Sequence, residues 1–396
     1  MTATKRRRTR GLSDGVRYPR PTVSHRVIST ILRHDSKQTS YKIALLRAVN
    51  DVVLAYPDVH GDERGVAVPL RMLAEAWVAY YWPFVADGAP LPQGVRSIRA
   101  GRERNDVSFR PALQGLRRRW ESLYGQSGAA GGWLLVEHMR VARTRAGYPE
   151  AFVTAYRQTL REMAQALRMP IQYAGPGTWT VFERPRRLTP ADVARRLPGA
   201  AAGETCVLVA GDLWQAFREV SLWVEALCIH EWSHFTERVS GGVTRGQAYA
   251  LLTERPDNRL PLDWERNHVD LLMLEGASFA CPWTGRPLGV GGYDLDHVVP
   301  LAVYPFHELW NLVPADARFN RDRKRARLPG EAALVIAAPR LERTYAHYGA
   351  SDDLAAALRD DVALRFATHD TDPAGITVAV SALVSSIAEA RNVARF

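Results

Sequence analysis

The sequence predicts an α+β protein with a large, mostly helical N-terminal region, a small unit of two strands and a helix, and a short helical C-terminal piece. Apolar residues recur at helical spacing over most of the first 265 residues and again beyond residue 330. Between these regions, short β-type runs alternate with turns and lead into a basic run. We therefore expect four parts, at residues 1–24, 25–265, 266–330 and 331–396.

The N-terminal region begins with a basic, turn-rich stretch, residues 1–24, which we expect to be a flexible arm. After it, apolar residues recur every three or four positions in several runs, and prolines or glycines end most of these runs. Two shorter runs are rich in β-branched and aromatic residues. The predicted elements are helices at 40–56, 69–83, 150–168 and 212–239 and strands at Thr178–Phe182 and Thr205–Val209.

The composition limits the classes of function. A chain of 396 residues with 46% hydrophobic content can bury a core, and no apolar run is long enough for a membrane span. The net charge of +10 favours a polyanionic partner, with nucleic acid ahead of an anionic membrane. Only four of the 52 basic residues are lysines, so phosphate contacts would fall mainly to arginine. Three scattered cysteines make no disulfide framework and indicate a reducing cytoplasm.

The segment from Cys281 to Pro329 carries the motif with recognisable chemistry. Tyr293–Asp296 is predicted as a short strand that ends in an Asp-His pair, and a loop leads to a second strand at Trp310–Val313. Asp316 is expected to cap a helix that follows directly. Three residues of this helix recur at helical spacing and are expected to share one face. They are Asn320, Lys324 and Arg327.

This segment resembles the HNH nuclease family. The pattern Asp-x-Asp-His opens the motif, Asn311 follows His297 by 14 residues and Asn320 follows it by 23. This register is similar to that of the HNH domain of RNA-guided CRISPR nucleases. The resemblance covers about one eighth of the chain. It implies a ββα-metal fold in which the end of the first strand and one helix face enclose a divalent cation against the scissile phosphate.

The resemblance also implies roles for individual residues, with double-stranded DNA as the partner. His297 would take a proton from the attacking water, because neutral imidazole suits that task near pH 7. Asp296 and Asn320 would hold Mg²⁺ or Mn²⁺ through oxygen atoms. Asn311 would hold the loop that carries the histidine by hydrogen bonds to its backbone. The residues expected to contact DNA phosphates are Lys324, Arg321, Arg323, Arg325 and Arg327. For this basic run, a solvated helix face is the alternative.

Two features depart from the wider family. Cys281 opens a Cys-x-x-Thr-Gly turn where many HNH proteins have Cys-x-x-Cys and a structural zinc held by four cysteines. This chain cannot build that zinc site, so we expect Cys281 to be a buried, small apolar residue. Asn320 stands in place of the last histidine of the family name, which favours magnesium or manganese. His307, near Asn311, is expected to have a structural role.

A second motif suggests a different chemistry. His230, Glu231 and His234 match the His-Glu-x-x-His pattern of zinc peptidases, and Glu254 would be a candidate third ligand. Short patterns of this kind arise often by chance. We favour the interpretation that the two histidines extend a packed helix face. The residues of that predicted face are Val220, Trp223, Leu227, His230 and His234.

Three hypotheses about function follow from these motifs: an HNH endonuclease, a zinc peptidase, and a protein of HNH fold that binds DNA without cutting it. The nuclease hypothesis is favoured because several residue types occur at the expected spacing within one short segment. By analogy with HNH modules fused to helical regions, we expect a role in restriction or phage defence.

Overall fold

Two large hydrophobic clusters organise the chain. The computed structural model describes residues 23–61, 65–88, 90–95, 98–99, 102–103, 106–125, 128–201, 203–255, 262–304 and 307–396. The first core gathers buried side chains between Ile28 and Leu252, and the second gathers those between Val269 and Ala388. Of the predicted arm, residues 1–22 lie outside the described residues, and residues 23 and 24 begin a helix.

The first core is a helical assembly that packs against a small antiparallel sheet. Its helices are α1 (Val23–Arg33), α2 (Tyr41–Ala55), α3 (Leu70–Tyr81), α4 (Arg110–Tyr124), α5 (Gly131–Arg140), α6 (Ala142–Ala146), α7 (Glu150–Gln172), α8 (Gly211–Ser240) and α9 (Arg245–Thr253). Its strands are β1 (Val66–Pro69), β2 (Ile98–Arg99), β3 (Arg102–Glu103), β4 (Arg186–Arg187) and β5 (Thr205–Val209). The strand order β1-β5-β4 forms one sheet, and β2 pairs with β3.

The four predicted helices are confirmed as α2, α3, α7 and α8, and the strand at Thr205–Val209 is confirmed as β5. The strand predicted at Thr178–Phe182 is wrong. Both edges of β5 are occupied, by β1 and by β4, so that residues 178–182 have no place beside it. Their side chains are mostly exposed, whereas Phe182 is buried.

The predicted inner face of α8 is wrong at three of its five residues, whereas Val220 and Leu227 are partly buried against the first core. Trp223 is 77% exposed, and His230 and His234 are exposed as well. Helical spacing alone does not decide which of two apolar stripes a long helix buries. The side chains that α8 buries include Val224, Cys228, Trp232 and Phe235.

The second core combines two short strand pairs with helices on both sides. Its elements are α10 (Asp263–Leu274), β6 (Phe279–Ala280), β7 (Pro287–Leu288), β8 (Asp294–His297), β9 (Leu312–Ala315), α11 (Ala317–Phe319), α12 (Glu331–Ala350), α13 (Asp352–Phe366) and α14 (Pro373–Arg391). The antiparallel strand pairs are β6 with β7 and β8 with β9.

The C-terminal helices complete this core. On α12, the hydroxyl of Tyr345 donates to the carbonyl of Trp310 at 2.7 Å, and that of Tyr348 donates to the carbonyl of Leu312 at 3.0 Å. Among the described helices, α14 is long and apolar enough to cross a membrane. Its side chains Val380 and Leu383 are buried in the second core.

Charged pairs join the two cores next to β8 and its loop. Arg140 on α5 contacts Glu308 at 2.9 Å. Arg143 on α6 contacts Glu265 at 2.9 Å and Asp361 at 2.8 Å. These pairs bring α5 and α6 of the first core against the segment that carries the HNH-like motif.

Candidate functional site

Strand, loop, strand and helical turn follow one another in the HNH-like segment. In the β8–β9 pair, His297 lies opposite Leu312, and the described residues between the two strands are 298–304 and 307–311. The side chain of Asp316 accepts from the backbone N–H of Phe319 at 3.0 Å and so caps α11, as predicted. A π turn, Asn320–Lys324, follows at once. The strands begin and end one or two residues later than predicted.

Asn311 holds the loop in the way expected from the sequence. Its Oδ1 accepts from the backbone N–H of Val299 at 2.7 Å, and its Nδ2 donates to the carbonyl of the same residue at 3.0 Å. The Asn311 side chain is fully buried. Both hydrogen bonds act on the residue two positions after His297, so they hold the end of β8 in place.

The carboxylates of the Asp-x-Asp-His pattern are arranged differently from the prediction. Asp294 and Asp296 share a strand face because side chains alternate along a strand. Asn320, which we expected beside Asp296, donates from Nδ2 to Oδ2 of Asp294 at 3.2 Å. Asp296 is buried, and its Oδ1 and Oδ2 accept from Lys324 at 2.9 Å and from Trp283 at 3.1 Å.

Lys324 does not lie where a phosphate contact was predicted. It is 1% exposed, and its Nζ donates to Asp296 and, at 2.6 Å, to the carbonyl of His297. The cause is the π turn, which turns this side chain inward. At Arg325 the backbone has a φ of 51° and the helical segment ends, so Arg327 does not share a helix face with Asn320.

The four predicted arginines in and after this turn are all exposed. We call Arg321, Arg323, Arg325 and Arg327 the arginine strip. The acidic residue within it is Asp322, whose Oδ1 lies 3.6 Å from Arg321. The strip therefore presents its guanidinium groups to solvent, where a phosphate backbone can reach them.

The oxygen atoms near Asn320 fit a hard divalent cation. With Nδ2 turned toward Asp294, Oδ1 of Asn320 keeps its lone pairs free of any described hydrogen bond. The described residues hold no group of three or more His, Cys, Asp or Glu side chains arranged to bind a metal. A cation would thus be held by one carboxylate, one amide oxygen and water, which is a donor set that suits Mg²⁺.

His297 is a neutral, partly buried imidazole. Burial, the neighbouring His307 and the charge of Lys324 together lower its pKa to about 3, and burial is the largest of these causes. Its Nε2 lies 3.0 Å from Nδ1 of His307. No hydrogen bond to Nδ1 of His297 is found within the part of the chain that the structure describes.

The His-Glu-x-x-His motif on α8 does not form a comparable site. His230 and His234 are exposed, and Glu231 accepts from Arg33 at 2.8 Å. Glu254, the candidate third ligand, does not join them in a metal-binding group, since no group of three such side chains is found among the described residues. Cys281 is fully buried and free of disulfides, as predicted from its position in the Cys-x-x-Thr-Gly turn.

Sequence reasoning missed several residues of the site. Strand alternation could have identified Asp294, since it shares a face with Asp296. His307, for which a structural role is expected, lies in the same loop and contacts Nε2 of His297. Oε1 of Glu137, in the first core, lies 3.4 Å from Nε2 of His307. No local sequence pattern near α5 indicates this contact.

Comparison with known proteins identifies a family domain in the N-terminal part of this chain. Neither a curated protein nor a solved structure matches it. A family model described as a domain of unknown function, DUF8808, matches residues 22–252. These residues make up more than half of the chain and coincide with the first core, while the HNH-like segment lies beyond them. The chain therefore belongs to the family DUF8808, through a domain that ends before the second core begins.

Proposed function

We propose that residues 281–330 form an HNH-type endonuclease site that hydrolyses phosphodiester bonds in double-stranded DNA with the help of a divalent cation. The observation that supports it best is the state of His297. This imidazole lies at the end of the strand that also carries Asp294, and its Nε2 contacts His307, while its Nδ1 has no hydrogen bond to the described residues. A general base needs this combination of a free lone pair and a fixed ring.

The residues of the site would divide the work. His297 accepts a proton from the attacking water at Nδ1. Asn311 keeps the loop after His297 in place through its two bonds to Val299. The arginine strip binds the phosphate backbone and orients it. Lys324 neutralises Asp296 inside the protein and fixes the carbonyl of His297.

The cation site fits Asp294 and Asn320 better than the predicted pair of Asp296 and Asn320. Both oxygens of Asp296 already accept hydrogen bonds, whereas Asp294 and Asn320 contact each other and are partly exposed. Bound there, Mg²⁺ or Mn²⁺ would supply Lewis-acid stabilisation of the phosphate and the leaving oxygen.

Supercoiled-plasmid cleavage tests this proposal. We expect cleavage with Mg²⁺ or Mn²⁺, none with EDTA, and a loss of about 10²- to 10⁴-fold in rate for His297→Ala, because that variant lacks the general base. The assay should be run at low and moderate salt, since binding through phosphates weakens as salt rises.

His230→Ala is the matched control, because His230 is an exposed histidine of the other motif. Its cleavage rate should equal that of the wild type. DNA binding without cleavage in every condition would replace the proposal with a non-cleaving DNA-binding protein. A loss of function in His230→Ala, together with bound zinc, would favour the peptidase hypothesis.

The family domain would supply recognition or control of this site. By fold-level analogy with other HNH modules joined to helical regions, we place the protein in restriction or phage defence. The family domain contacts the HNH-like segment through the ion pair of Arg140 with Glu308, which connects the two cores.

A further inference from the structure

His297 is one end of a chain of polar contacts that crosses between the two cores. Its Nε2 lies 3.0 Å from Nδ1 of His307, and Nε2 of His307 lies 3.4 Å from Oε1 of Glu137 on α5. His307 and Glu137 are both buried. Oε1 of Glu137 is buried and makes no hydrogen bond within the described part of the chain, and Nε2 of His307 is the polar atom found near it. One end of this chain thus belongs to the family domain and the other to the proposed nuclease site.

The chain has a direction because a neutral imidazole carries one N–H group and one lone pair. If Glu137 is ionised, it accepts from Nε2–H of His307, and Nδ1 of His307 accepts from Nε2–H of His297. Nδ1 of His297 then keeps its lone pair and can accept a proton from water.

Protonation of Glu137 reverses this direction. The carboxyl then donates to Nε2 of His307, Nδ1–H of His307 donates to Nε2 of His297, and Nδ1 of His297 carries the remaining proton. The two states differ by one proton, which Glu137 carries, while each ring only changes the nitrogen that bears its hydrogen. In the reversed state His297 cannot act as a base at Nδ1.

We propose that Glu137 and His307 are positioning residues that set the tautomer of His297, so that the family domain switches the nuclease site between a working and a resting form. This inference rests on the proposed function for the role of His297. The contacts that carry it do not depend on that role, and neither does the tautomer, which can be measured directly.

The surroundings of Glu137 place the switch in a useful pH range. Burial raises the pKa of Glu137 to about 8; the nearby Glu308 also raises it, and Arg140 opposes the shift. A cavity of about 410 Å³ lies beside Glu137 and His307 and gives solvent a route to the carboxyl. The charged and titratable groups that face Glu137 are Arg140, His138, His307, Glu308, Arg143, Glu265 and Tyr124.

Nuclear magnetic resonance of the full chain, labelled with ¹⁵N in histidine, tests the switch. The ring nitrogens of His297 are assigned by comparison with His297→Gln. At about pH 9.5 we expect Nε2 to carry the proton, and at about pH 6.5 we expect Nδ1 to carry it, because these values lie on either side of the Glu137 pKa. An unchanged tautomer across this range overturns the proposal.

Two variants show whether the change of tautomer depends on the contacts from Glu137 through His307 to His297. Glu137→Leu removes the group that titrates, and His307→Asn ends the chain because its side chain is too short to reach Glu137. In both variants the tautomer of His297 should no longer follow pH. In Glu265→Gln, which alters another carboxylate of the same cavity, the wild-type change should persist. If it persists in Glu137→Leu as well, the proposal fails.

Cleavage measured on the same samples separates this inference from the proposed function. The wild-type rate should rise by tenfold or more between the two pH values, and this rise should be absent in Glu137→Leu. If the tautomer of His297 changes with pH but neither the wild type nor any variant cleaves DNA, the switch stands and the nuclease proposal fails. If cleavage depends on His297 while its tautomer stays constant, the nuclease stands and the switch fails.

Discussion

Asn311 shows how one buried amide can organise a loop. Its side chain satisfies both the N–H and the carbonyl of Val299, and all of these groups are shielded from water. Buried polar groups of this kind are costly to leave without partners, because water cannot replace the missing hydrogen bond. The position of His297 therefore depends on Asn311 through the backbone.

Asn311→Ala should lower the free energy of unfolding and abolish cleavage. Each backbone group left without a partner costs about 1–3 kcal/mol. Urea denaturation followed by tryptophan fluorescence measures the loss. Asn50→Ala is the control, since Asn50 is equally buried but its amide has no hydrogen-bond partner among the described residues. Equal losses in the two variants would argue against the role assigned to Asn311.

Lys324 and Asp296 illustrate why a charged residue in a motif need not face the substrate. A buried ammonium requires a partner, and here it has a carboxylate and a backbone carbonyl within 2.9 Å. Breaking such a pair leaves an uncompensated charge in the interior. The pair thus holds the end of β8 in place, and Asp294 is left as the carboxylate for the proposed cation site.

The π turn after α11 decides which basic side chains reach the surface. Its backbone bond joins the N–H of Arg325 to the carbonyl of Asn320 at 2.8 Å. This wider turn buries Lys324 and leaves the arginine strip exposed on the outside. A regular helix would have placed Lys324 and Arg327 on the face of Asn320, as the sequence predicted.

The arginine strip should determine the salt dependence of DNA binding. In the non-cleaving His297→Ala background, Arg321→Gln with Arg323→Gln should reduce the slope of log K against log salt by about 0.9 per lost phosphate contact. Fluorescence anisotropy over a series of salt concentrations gives this slope. The control pair is Arg168→Gln with Arg359→Gln, two exposed arginines on α7 and α13. An equal reduction in the control pair would remove the strip from the DNA interface.

Buried charges join the two cores of the molecule. Arg140, Arg143 and Glu137 all lie on α5 and α6 and all contact the second core. Burying charges is costly, so these pairs are better suited to fixing one orientation than to adding stability. The HNH-like segment is accordingly tied to the family domain at the loop that precedes Asn311.

The free energy of unfolding should fall as pH rises from about 4.5 to about 8. The folded protein keeps the Glu137 proton up to a pKa of about 8, whereas an unfolded glutamate releases it near 4.5. Stability from this group is therefore complete below pH 4.5 and is lost as pH rises through 8, by at most about 1.4 kcal/mol per pH unit.

Urea denaturation of wild type and Glu137→Gln across this pH range checks the prediction. The variant carries an amide that does not titrate. Its urea midpoint should therefore rise relative to that of the wild type as pH rises. A difference that is independent of pH would mean that Glu137 has the same pKa in the folded and unfolded chains.

Much of the secondary structure followed from local patterns. The helices α2, α3, α7 and α8 end at prolines or glycines or have the expected apolar spacing, and they were predicted closely. The errors arose where a pattern had two solutions. Which face α8 buries, and whether residues 178–182 form a strand, depends on the elements that pack against them. No single segment of the sequence contains that information.

Residue types and their spacing within 50 residues determined the candidate chemistry: an Asp-x-Asp-His strand end, two asparagines and a basic run. This was possible because strand alternation, turn formation and capping are local properties of the chain. Tertiary packing alone decided that Asn320 meets Asp294, that Lys324 is buried, and that Glu137 reaches His307. These contacts join segments far apart in sequence, and burial and charge pairing act on distance in space.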